Sequence, residues 1–99
     1  MQCTDPGHIY KLDGDQELRF LKKEKSAEDG TMKVVNTGTT NEEVLEMLID
    51  RTTNLNAQFP CIENQNALTH MEQALHWFNM RTSKRKSQNV EGMAVPHSS

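Results

Sequence analysis

Ala67-Leu68-Thr69-His70-Met71-Glu72-Gln73-Ala74-Leu75-His76-Trp77-Phe78-Asn79-Met80-Arg81-Thr82-Ser83-Lys84-Arg85-Lys86 is the stretch whose periodicity decides the fold. Ala67, Met71, Ala74 and Phe78 recur at three- and four-residue intervals, the spacing of one helical face. Arg81 and Arg85 take the next two positions of that stripe. A seam facing another helix should stay apolar to its end, because an unpaired guanidinium turned toward a core carries a large desolvation penalty. The spacing therefore points to an anionic partner. One helical turn separates the two side chains, so their planar forks suit neighbouring phosphates or the two ends of a pyrophosphate. A solvated helix end, where basic residues meet the negative dipole, accounts for the spacing equally well. Lys84 and Lys86 point away from the stripe and fit that second reading better.

Working outward, this helix is expected from about Ile62 to Lys86. Phe59-Pro60 just before it should end any preceding helix and turn the chain. That preceding helix opens at Thr40-Asn41-Glu42-Glu43, with Thr40 as N-cap, or Asn41 if the boundary shifts by one, and acids at the positive end of the dipole. Val44, Leu45, Leu48, Ile49, Thr52 and Leu55 form its expected buried face. Further upstream, His8–Leu12 and Leu18–Lys22 are β-prone runs joined by Asp13-Gly14-Asp15, a hairpin-turn signal. Residues 1–7, with Asp5-Pro6-Gly7, read as a loose lead-in, and Glu24–Gly30 as a loop. Met32–Val35 has room for a third, short strand. The expected fold is α+β: an N-terminal β-hairpin region over residues 1–37, an antiparallel two-helix hairpin over 38–92, and a flexible tail over 93–99.

Ninety-nine residues allow one small domain, and with 34% hydrophobic residues and a mean hydropathy of -0.77 the core is shallow. Burial between subunits is the expected route to stability, so a homo-oligomer is expected. A net charge of -3 argues against a binder of polymeric nucleic acid. The base is local: four of the six residues from Arg81 to Lys86 are basic, whereas Asn41–Asp50 carries four acids and no base. Cys3 and Cys61 have neither disulfide-scaffold nor zinc spacing and read as reduced thiols. No apolar run approaches the roughly 20 residues that span a bilayer, so a soluble, cytoplasmic protein with no membrane partner is expected.

His8, His70, His76 and His97 offer no metal cage, since His70 and His76 fall on different sides of a helix and lack a partner four residues away. No nucleophile elbow, phosphate-cradling glycine loop or acid/base pair is present, and Cys61 near His70 in sequence does not make a thiol enzyme. Binding without catalysis, cofactor or metal is the expected class. Aromatic residues in so small a chain, Trp77 and Phe20 among them, are expected mostly in the core. Phe59 in the inter-helix turn is the more plausible stacking residue, followed by Tyr10 in the hairpin. Arg51, beside Asp50, suits structural pairing or ligand contact. Asn64 suits the helix entry or a ligand. Lys22, Lys23 and Lys25 suit ordinary edge protection.

Phe59-Pro60-Cys61-x-Glu63-Asn64, Ala74-Leu75-His76-Trp77, Arg81-Thr82-x-x-Arg85 and Val90-Glu91-Gly92 together resemble the helical-hairpin domain of phage anti-defence sponges, the Thoeris anti-defence sponges and their anti-CBASS relatives. The resemblance runs from about Gly38 to Gly92, and the preceding β-hairpin is more similar to the Thoeris branch. It implies a non-enzymatic protein that captures a cyclic nucleotide alarm signal in the cytoplasm of an infected bacterium. The implied ligand is a cyclic ADP-ribose isomer bound between subunits, or a cyclic di- or trinucleotide, in a dimer or hexamer. The family's ligand-gripping asparagine and paired arginines fall on Asn64, Arg81 and Arg85. The chain departs from the usual pattern at Ile62 and Lys84, and Gln88 and Asn89 replace an Arg-Gly pair, which removes an arginine from any second pocket near the helix end. The competing reading is a helical hairpin that docks on a phage or host regulator.

Overall fold

The computed structural model describes residues 1–92, with side chains described as far as Gln88. The expected tail, with His97, lies outside the described residues. The chain divides into two compact units, Met1–Asn41 and the segment from Glu42 onward.

In the first unit, β1 (Gln2–Asp5), β2 (Ile9–Lys11) and β3 (Glu17–Arg19) form an antiparallel sheet in that order. The β2–β3 hairpin sits where the Asp13-Gly14-Asp15 signal places it, in the register Ile9↔Arg19, Tyr10↔Leu18, Lys11↔Glu17. Gly14 at φ 71° and Asp15 at φ 60° supply the two left-handed residues of a tight hairpin turn. Two expectations change. Residues 1–7 are not a loose lead-in, because Gln2 and Cys3 pair with Lys11 and Tyr10 and Gly7 turns the chain at φ 78°. The run Leu18–Lys22 is not one strand: β3 stops at Arg19, and Lys22–Lys25 forms β4, paired with β5 (Met32–Asn36). Lysine-rich β4 has poor strand propensity, and its ladder to Met32, Lys33 and Val34 holds it extended.

Tyr10 and Phe20 meet edge to face with centroids 5.9 Å apart, the favoured aromatic geometry. Lys22 Nζ reaches Asp5 Oδ2 at 3.3 Å, giving that lysine a structural role. After β5 the chain returns to Phe20: Thr39 N–H donates to the Arg19 carbonyl at 2.9 Å, and Leu21 N–H donates to the Thr39 carbonyl at 2.8 Å. Gly38 permits that approach, since a Cβ there would stand 2.6 Å from the Arg19 carbonyl oxygen.

The second unit is built on α1 (Asn41–Gln58) and α2 (Ile62–Gly92). Helix α1 starts after Thr40, with Glu42 and Glu43 in its first turn. Phe59-Pro60 ends it. Cys61 then caps α2: its Sγ accepts from Asn64 N–H at 3.4 Å, while Asn56 Oδ1 accepts from Cys61 N–H at 3.0 Å. At the other end, Thr82 Oγ1 donates to Glu42 Oε1 at 3.2 Å across forty residues. A bond between the start of α1 and the distal part of α2 requires the helices to run back antiparallel.

Burial shows the seam. Half-buried positions are Glu42, Leu45, Ile49, Thr52 and Asn56 on α1, and Asn64, Leu68, Met71, Leu75, Phe78 and Thr82 on α2, each set alternating three- and four-residue steps. Val44 and Ala74 are also half-buried, whereas Leu48, Leu55 and Ala67 are exposed. No described side chain is fully withdrawn from water. No helix among the described residues is long and apolar enough to cross a membrane.

Candidate functional site

The six candidate residues fall in separate places. Tyr10 lies in the first unit, where it lines a mainly apolar cavity of about 290 Å³ with Leu12, Leu18 and Phe20. Asn64 and Phe59 lie at the turn end of the helical hairpin, Arg51 on an exposed part of α1, and Arg81 and Arg85 on the distal half of α2.

Asn64 stands at the helix entry. Its backbone N–H belongs to the helix entry through Cys61. Its half-buried carboxamide has no hydrogen bond among the described residues, leaving donors and an acceptor available to a ligand. Phe59 is 75% exposed, and its backbone N–H donates to the Leu55 carbonyl at 2.9 Å.

Arg81 and Arg85 are exposed, and neither makes a hydrogen bond or ion pair among the described residues. The reason is a one-step rotation of the seam. Two apolar series share Met71 and Phe78: one continues through Leu68, Leu75 and Thr82, the other through Ala67, Ala74 and Arg81. Every member of the first series is half-buried, whereas Ala67 and Arg81 of the second are exposed, so Thr82, rather than Arg81, continues the intrachain seam and hydrogen-bonds to Glu42. The arginines sit on its flank, so no buried guanidinium needs compensation within the chain.

Two further residues join Arg81. Trp77, expected in the core, is 69% exposed. Lys84, expected to point away from the arginine stripe, lines with Trp77, Met80, Arg81 and Ser83 one open concavity of about 610 Å³. Steps of three and four place these residues on one helix face. The spacing Trp77, Arg81, Lys84 was visible in the sequence, and the assumption that an indole must be inside concealed it.

Seventeen residues separate Asn64 from Arg81, about 25 Å along a helix axis. That exceeds the reach of one cyclic dinucleotide. Within a single chain, the carboxamide and the arginine pair therefore stand apart. No cluster of metal-ligating side chains occurs among the described residues.

Residues 18–83 match the family described as Acb2/Tad1, hairpin domain. The chain belongs to that family. The match to the Acb2/Tad1 hairpin domain begins upstream of the resemblance read from the sequence, taking in the end of β3 with β4 and β5, and stops short of Gly92. The chain is also 43% identical over 56 residues to a protein named Thoeris anti-defense 1 from Bacillus phage SBSphiJ7, an alignment covering 56% of the chain and 39% of that relative. The chain thus spans well under half the length of the curated relative it matches. Anti-defence is the role that this relative's name gives to the relative itself, and the family match shows that the chain carries the Acb2/Tad1 hairpin domain.

Proposed function

We propose that the protein sequesters, without degrading, a cyclic nucleotide immune signal: a cyclic ADP-ribose isomer of Thoeris, with cyclic di- or trinucleotides of CBASS as further ligands. It would act in the cytoplasm of the infected bacterium. The observation that carries this reading is the solvent-facing pair Arg81 and Arg85, without a hydrogen bond or ion pair among the described residues, Arg81 inside the family match and Arg85 two residues past its end. Charge-assisted, bidentate bonds from two guanidinium groups one turn apart suit the phosphates of such a compound.

Self-association completes the site. Leu48 and Leu55, seven residues apart on α1, remain 38% and 39% exposed, and Ala67 and Ala74 on α2 allow close helix approach. A second copy packed antiparallel against these flanks would bring Asn64 of one chain toward Arg81 and Arg85 of the other. Phe59 and Arg51 would join from the same copy as Asn64. A dimer is the smallest assembly with this property, and a hexamer repeats it.

Capture without turnover works only stoichiometrically, with a dissociation constant below the signal concentration. The test follows from that. The protein is incubated with a panel of cyclic ADP-ribose isomers and cyclic di- and trinucleotides, separated from free ligand, heat-denatured, and the released compound identified by mass. Recovery of intact ligand supports sequestration. An altered product would make the protein an enzyme, and no uptake by folded protein would favour a helical hairpin that docks on a phage or host regulator.

A further inference from the structure

Trp77 is the chain's only tryptophan, and leaving an indole in water forgoes one of the largest burial gains a side chain offers. Its one ring contact among the described residues is His76, at 5.5 Å between centroids and 69° between planes. No ring among the described residues is stacked parallel on the indole. One turn further on, about 6 Å along the axis, stands Arg81, with Lys84 beyond it in the same concavity. Neither cation has an ion pair or hydrogen bond among the described residues.

A planar apolar platform beside two free cations is complementary to one kind of ligand. An apolar peptide would cover the indole and strand the charges; a bare polyphosphate would meet the charges and leave the indole wet. A purine nucleotide uses both, because its base and its own phosphate are separated by about one helical turn. We infer that Trp77 is the base-stacking residue of the ligand site, carrying a purine base of the cyclic nucleotide while Arg81 and Lys84 hold the adjoining phosphate. The inference rests on the sequestration reading and adds the source of base preference: stacking tolerates any purine, so selectivity among ring linkages arises elsewhere.

The single tryptophan makes the test direct. Wild-type protein is titrated with cyclic ADP-ribose, its isomers and cyclic di-AMP while indole emission and binding heat are followed. Trp77→Ala and Trp77→Phe are titrated alongside, with light scattering and far-ultraviolet dichroism as controls. The expected result is a saturable change in indole emission, a loss of about tenfold to a hundredfold in affinity for Trp77→Ala, and recovery of most of it by Trp77→Phe at unchanged assembly size. Equal affinity of wild type and Trp77→Ala would overturn the stacking role while leaving sequestration standing. An affinity loss accompanied by dissociation into smaller species would overturn it too, by making Trp77 an assembly residue. Failure of wild type to take up any probe would overturn both readings.

Discussion

On the proposed reading, the exposure of Arg81 suits anion binding better than burial would. A guanidinium already sealed against a carboxylate would have to break that pair before meeting a phosphate, whereas Arg81 has no such pair among the described residues. Arg81→Ala should therefore weaken cyclic nucleotide binding by about 1.5–3 kcal/mol, one to two powers of ten, with no change in thermal midpoint. Isothermal titration and a melting curve on the same sample check both halves. Asp29 offers a contrasting case in the β4–β5 turn, where its carboxylate accepts from Thr31 N–H at 3.0 Å and from the Thr31 hydroxyl at 2.7 Å. The backbone bond from Thr31 chiefly, then its hydroxyl, holds the carboxyl below its ordinary value of 3.8. A lowered carboxylate contributes stability that is present above the unfolded value and lost as pH falls through the folded one. Carbon-detected titration should give a midpoint under 3.8 for Asp29, with Thr31 amide protection lost only in that acid range.

Among the elements, the helical hairpin was legible because its punctuation is chemical: acids in the first turn at one end, Phe59-Pro60 at the turn. Strands β1 and β4 were not, because Gln2-Cys3-Thr4-Asp5 and Lys22-Lys23-Glu24-Lys25 carry almost no apolar pattern and are extended by the ladders they join. The inward side of α2 was legible only in part. Met71 and Phe78 belong to two overlapping series, and spacing alone cannot tell whether Leu75 or Ala74 turns in, which is the same ambiguity that hid Trp77 and misplaced the arginines. The caps themselves are testable. Cys61→Ala removes the acceptor for Asn64 N–H and should cost about 1 kcal/mol, while Cys61→Ser keeps it and should be near neutral in denaturant unfolding. Gly38→Ala meets immovable backbone, the Arg19 carbonyl oxygen at 2.6 Å and the Phe20 carbonyl carbon at 2.7 Å. Its expected cost is about 1–3 kcal/mol, read as a lower thermal midpoint.

For the whole molecule, the decisive quantity is the separation between Asn64 and the arginine pair. Helix rise fixes it at about 25 Å, and no side-chain rotation closes such a gap, so a ligand touching both must lie across two copies. This has a consequence that single variants cannot imitate. Asn64→Ala and Arg81→Ala should each lose high-affinity binding on their own. Unfolded together in equal amounts and refolded, they should regain it, because a two-fold dimer of one copy of each variant has one site with both defects and one with neither. Random pairing makes half the dimers mixed, so about a quarter of all sites should return with wild-type affinity, seen as a tight phase of that stoichiometry in calorimetry. Sites confined to single chains would give no tight phase in the mixture. Leu48→Lys with Leu55→Lys supplies the complementary experiment: charging the exposed flank of α1 should reduce the scattering mass toward the 11.3 kDa chain and abolish the regained sites together.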